Sequence, residues 1–144
     1  MNFIKNIIAV MAIFISFGSY ANAGATVAKT FVVVTSAETE VQGMAMVLSL
    51  QALKNGSEVR ILLCDAGGDI ALKSKESKAL KPKGFTPRKL MQKLMSQGVK
   101  VEVCALYMPN RGLSPADLIE GVSGVKPPVI GAYMADPAVR YFSF

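Results

Sequence analysis

The 144-residue chain has no histidine, no tryptophan and only two cysteines, Cys64 and Cys104. Without histidine there can be no Ser-His-Asp triad and no Cys-His pair, so a nucleophilic cysteine would have to be activated by charge and dipole alone. The commonest transition-metal ligand is missing as well, and neither a metal site nor a cofactor is expected. The two cysteines do not form a C-x-x-C spacing, which weakens a thiol-disulfide reading. The chain also lacks an internal repeat, a low-complexity tract and a linker long enough to separate domains.

The start of the chain reads as an address label. Lys5 supplies a positive n-region, Ile7 to Phe17 is almost wholly apolar, and Ala21-Asn22-Ala23 is a small-x-small cleavage site before Gly24. Residues 1–23 are therefore expected to be a cleaved signal peptide, which makes the protein periplasmic. The apolar run is short for a membrane span and is closed by Ser16, Ser19 and Asn22, although an uncleaved anchor is the alternative. No stable membrane span is expected in the mature form. Residues 24–144 are enough for one compact domain with a sizeable core.

The whole chain carries 16 Lys and Arg against 10 Asp and Glu. Eight of the basic residues fall between Lys73 and Lys93, so the excess is local. Only Phe85 is an aromatic interleaved among them, which does not suggest nucleic-acid binding. A solvated face is the first reading, and a docking surface for an acidic partner or anionic lipid is the second.

Strands are expected at Lys29–Thr35, Glu58–Cys64, Val99–Cys104 and Val139–Phe144, all rich in β-branched or aromatic residues. Between them, Val41–Lys54 has two apolar rows at helical spacing, Met44-Val47-Leu48 and Met46-Leu50-Leu53, which predicts a helix buried on much of its circumference. Thr86-Pro87 is an N-cap and N1 pair for a helix to Gln97. Ser114-Pro115, with Asp117 in a capping-box position, predicts a helix to Gly121. Val129–Ala135 predicts a last short helix. Strands alternating with helices imply an α/β fold with a mostly parallel sheet of about five strands, covered on both faces.

The most informative stretch is Val99–Gly112, where an apolar strand ends in Cys104 and a loop carries Arg111 and Gly112. Open α/β sheets build their sites at the carboxyl ends of strands. A guanidinium and a following helix start would favour the thiolate, the nucleophilic form. The alternative is a small hydrophobe closing a strand. Asp65-Ala66-Gly67-Gly68-Asp69, at the end of a neighbouring strand, should border the same crevice. Its paired glycines allow close backbone approach, and Asp65 or Asp69 could touch a ligand, but it is no phosphate fingerprint and also reads as a plain tight turn. Cys64 is expected in the core. A Cys64–Cys104 disulfide would need Cα atoms within about 7 Å, which only adjacent strands with matched ends allow.

Val101-Glu102-Val103-Cys104 followed by Asn110-Arg111-Gly112-Leu113 resembles the DsrE/DsrF-like sulfur-relay family, in which a hydrophobic strand ends in the sulfur-carrying cysteine before a short loop and an Arg-Gly pair. The mature chain is similar to that family in length and element order as well. The resemblance implies a three-layer α/β/α sandwich, with Cys104 as persulfide carrier and Arg111 assisting it. Tyr107, Gly112, Asp65, Gly67 and Gly68 would be candidate substrate contacts, and a sulfur donor or acceptor protein the partner. It also implies a homo-oligomer, trimer or hexamer, an expectation supported by the aromatics of Val139–Phe144 at an expected sheet edge. The known relay members work in the cytoplasm, unlike an exported chain. A noncatalytic oligomeric module binding a small ligand or a protein is the competing function.

Overall fold

The computed structural model describes residues 27–144, so the expected signal peptide and its cleavage site lie outside the described residues. The strands are β1 (Lys29–Val34), β2 (Glu58–Leu63), β3 (Lys100–Cys104), β4 (Ser123–Val125) and β5 (Val139–Ser143). The helices are α1 (Thr39–Lys54), α2 (Pro87–Ser96), the single turn α3 (Tyr107–Asn110) and α4 (Pro127–Met134), with 3-10 turns at Asp65–Ala71 and Pro115–Asp117. All strand pairs are parallel, in the order β4-β3-β2-β1-β5. Parallel neighbours need crossover connections, and α1, α2 and α4 supply them.

The period-2 alternation of the strands sorts their side chains into two faces. Val32, Val34, Ile61, Leu63, Val101 and Val103 point to one face, and together with Met46, Leu50, Met91 and Leu94 they form the main core beneath α1 and α2. The other face holds the smaller cluster of Phe31, Leu62, Val125 and Val139, against which Ile130 and Tyr133 of α4 pack. The three expected layers are present but unequal: no residue of α4 is fully buried.

Several local expectations are corrected. On α1 the row Met46-Leu50 faces the core, joined by Ala45, Ser49, Gln42 and Gly43, while Met44, Val47 and Leu48 are exposed. Both rows are apolar, so periodicity could not choose between them. The small residues decide it, since Leu80 occupies the space a Cβ on Gly43 would need. The helix expected from Ser114 to Gly121 is only the turn Pro115–Asp117. Its capping box forms, with the Ser114 amide and hydroxyl both donating to Asp117 Oδ2 at 2.7 and 2.8 Å. Beyond it the chain is diverted: Lys73 N–H donates to Asp117 O, Ile119 N–H donates to Ala71 O, and Leu118 is buried beside Leu72. The short strand β4 had no periodic signal to reveal it.

The basic stretch is partly structural. Arg88 donates from Nε to Ile70 O at 2.8 Å and from Nη2 to Leu72 O at 2.7 Å, clamping α2 to the end of the first 3-10 turn.

Candidate functional site

The site forms where β2 and β3 end together. Their parallel register runs from Arg60 opposite Lys100 to Leu63 opposite Val103. One residue further, Cys64 stands beside Cys104. Both are partly buried free thiols packed against the cluster of Phe31, Leu62 and Val125. Burial pushes the Cys64 thiol up to about 12, and the neighbouring Cys104 and Asp65 act in the same direction. Cys64 therefore keeps its proton at neutral pH. It packs half-buried on the edge of the small core cluster, beside Cys104, and the alignment has a counterpart in the sequence: RILLC and KVEVC both end in cysteine four residues after a basic residue.

Past Cys104 the chain makes the turn α3 and delivers Arg111 back over it. Gly112, at φ +62° and exposed, completes the reversal in a conformation that side chains with a Cβ seldom adopt. Arg111 Nη2 lies 3.3 Å from Asp65 Oδ1 and its Nε 3.9 Å from Asp69 Oδ1. Its guanidinium carbon sits 4.7 Å from the centre of the Tyr107 ring. Tyr107 is 1% exposed and donates its hydroxyl to Asp69 Oδ1 at 2.8 Å. Burial, then the bond to Asp69, pushes the Tyr107 hydroxyl above its ordinary range. The ring is thus the buried floor under Arg111. Asp65, directly after Cys64, has φ +45°, a left-handed conformation that aspartate tolerates better than most residues.

Cys104 lies between two cavities. A polar one of about 230 Å³ is lined by Cys104, Asp65, Leu106, Tyr107, Asn110 and Arg111. The other, about 370 Å³ and almost entirely apolar, lies between Cys104 and α4, with Leu62, Leu106, Val125, Ile130 and Met134 in its wall. The second cavity went unread because β4 and the packing of α4 were not legible in the sequence.

The structure brings Cys104, Arg111, Tyr107, Asp65 and Gly112 to one corner. It places Gly67 and Gly68 there too, but buried and closed off. A Cβ on Gly67 would strike the Val34 carbonyl of β1, and one on Gly68 would strike the Tyr107 ring. These glycines let the 3-10 turn nest against the sheet and leave no surface for a ligand. No helix points its N-terminus at Cys104 from Ser114, because that helix is a single 3-10 turn. Among the described residues, no group of three or more Cys, Asp or Glu side chains is arranged to hold a metal ion. Among them, too, no helix is long and apolar enough to cross a membrane.

The corner can support thiol chemistry: a partly exposed sulfur, a neighbouring thiol, and a guanidinium lining the same cavity. The DsrE/DsrF-like family model matches residues 28–144. In fold, the chain is similar to the ychN protein from E. coli, with a TM-score of 0.65 and 17% identity over 83% of this chain and 100% of that one. It is also similar to MTH1491, a protein of unknown function from Methanobacterium thermoautotrophicum, with a TM-score of 0.60 and 15% identity over the same shares. No curated protein matches the chain in sequence.

Proposed function

Because the chain belongs to the DsrE/DsrF-like family, we propose that it is a sulfur carrier that holds sulfane sulfur as a persulfide on Cys104. The observation that carries this reading is the position of Cys104: it closes β3, is partly exposed, and lines both cavities of the site. The Cys104 thiolate attacks the outer sulfur of a donor persulfide, R–S–SH. The Cys104–sulfur bond forms, the bond to the donor breaks, and the donor leaves as R–SH. Transfer to an acceptor thiol repeats the exchange in the other direction. Arg111 lines the polar cavity and offers hydrogen bonds to an anionic sulfur there, while Asp65 and Asp69 hold it in place.

The carrier is proposed to act in the periplasm after removal of residues 1–23, exchanging sulfur with a donor or acceptor protein. Gly24 is then the N-terminus of the exported form, which sequencing of that fraction checks. It is also proposed to be a closed homo-oligomer, a trimer or a hexamer. Support comes from the exposed row Met44, Val47 and Leu48, of which Leu48 lines one groove with Phe142 of the edge strand β5. An edge strand and apolar surface of this kind are relieved by burial between subunits. A monomer in light scattering at tens of micromolar would sink that part.

The test of the carrier is an intact mass after incubation with inorganic polysulfide. One added sulfur on Cys64→Ser, absent from Cys104→Ser, is the expected result. The second reading is a noncatalytic binding module, favoured by the apolar cavity beside Cys104. It predicts no sulfur adduct, together with saturable binding of a small apolar probe that Ile130→Trp blocks.

A further inference from the structure

The carrier reading uses one of two thiols that the sheet holds side by side. Extending the β2–β3 register by one residue aligns Cys64 with Cys104, at the roughly 4.8 Å spacing of neighbouring strands. That spacing lies within the Cα separations of about 4.4–6.8 Å that a disulfide bridges. Both side chains pack on the same small cluster, and both are free and partly buried.

We propose that Cys64 is a resolving thiol, which discharges a persulfide on Cys104 by forming a Cys64–Cys104 disulfide and releasing hydrogen sulfide. The proposal rests on the carrier reading for its persulfide, but not for the pairing of the thiols. Cys64 Sγ attacks Cys104 Sγ, the inner sulfur of the persulfide. The Sγ–Sγ bond forms, the bond to the outer sulfur breaks, and its electron pair leaves with that sulfur. The proton of the Cys64 thiol ends on the leaving hydrosulfide, giving hydrogen sulfide. The Cys64 sulfur is oxidised and the outer sulfur is reduced, so the step needs no external oxidant. Since Cys64 holds its proton at neutral pH, discharge is slower than attack by an external thiolate, and a bound acceptor takes the sulfur first. An unclaimed sulfur is released as sulfide instead of remaining on the carrier.

The test loads wild type, Cys64→Ser and Cys64→Ala with polysulfide, desalts them, and follows intact mass and free sulfide. Wild type should lose its added sulfur, end two hydrogens lighter than the starting dithiol, and release one sulfide per chain. The variants should keep the persulfide about 100-fold longer once external thiols are removed, because they lack the positioned thiol that discharges it. Equal persulfide lifetimes in wild type and both variants would overturn the proposal. If the variants do not load at all, the carrier reading falls, and Ellman's reagent then decides the pairing. Two thionitrobenzoates released per wild-type chain with no retained adduct would support a resolving Cys64. A stable adduct on Cys104 of wild type would remove it.

Discussion

The two faces of the sheet come from the same five strands yet are built of different material. Beneath α1 and α2, Val32, Val34, Ile61, Leu63, Val101 and Val103 are each no more than 2% exposed, and all are apolar. On the α4 side the alternate positions of those strands carry Phe31 and Leu62, but also Arg60, Glu102, Cys64 and Cys104. Arg60 donates from Nε to Glu102 Oε2 at 2.8 Å, its Nη2 lies 2.7 Å from the same oxygen, and its guanidinium carbon is 4.8 Å from the centre of the Tyr133 ring. One face holds most of the buried apolar side chains, and the other accommodates buried charge because Arg60 and Glu102 are paired there. The candidate site sits on the thinner face.

The comparison breaks if the thin face proves as costly to empty as the thick one. Leu63→Ala, in the main core, should destabilise the domain by about 4 kcal/mol in denaturant unfolding, the combined loss of transfer energy and a residual cavity. Glu102→Leu leaves Arg60 buried without its partner and should cost about 3 kcal/mol. Pairing it with Arg60→Met should recover most of that loss, because an apolar pair needs no compensation; a double variant as weak as the single one would show that the ion pair itself is required.

Cys104→Ser should change unfolding free energy by less than about 1 kcal/mol, as expected of a partly exposed position. A loss comparable to that of Leu63→Ala would return Cys104 to the core. Cys64 gives a sharper measure of the same face. With its thiol pushed up to about 12 from an ordinary value of 9.0, its thiolate fraction at pH 8 should be roughly a thousandfold below that of an ordinary thiol. In Cys104→Ser, burial, the largest cause, remains, so Cys64 should still resist iodoacetamide at pH 8. Rapid alkylation there would mean that the site is open to water.

The smallest effect belongs to the rim. Lys29 Nζ and Asp136 Oδ2 are 2.7 Å apart, tying β1 to the loop before β5, and the Lys29 hydrogen bond holds the Asp136 carboxyl below the usual carboxylate range. A depressed carboxyl stabilises the fold above its unfolded pKa near 3.8 and loses that contribution as pH falls through its lower folded value. Lys29→Met should therefore lower stability slightly at pH 6, with the difference from wild type shrinking as the pH falls below that value. A pair this exposed is screened by solvent and salt, so a pH-independent deficit would point to lost packing of the lysine stem instead.

Local pattern was enough to read β1, β2, β3 and β5, because runs such as Phe31–Val34 and Ile61–Leu63 have the β-branched, apolar character of buried parallel strands. It was enough for α2, whose N-cap Thr86 accepts from Lys89 N–H as its sequence predicts. It also placed Cys104 and Asp65 at strand ends, where an α/β sheet opens, and Arg111 in the loop that follows. What it could not supply was anything set by contact between distant segments. The buried row of α1 depended on Leu80 meeting Gly43, and the fate of Ser114–Gly121 depended on Leu72 capturing Leu118. Gly67 and Gly68 read as rim residues until the Val34 carbonyl and the Tyr107 ring were seen to fill the space beside them. The pairing of Cys64 with Cys104 follows from strand order, and strand order is decided by how helices pack across the whole sheet. A sequence specifies each strand by its own periodicity, whereas neighbours are chosen by the free energy of the assembled layers, which belongs to no single segment.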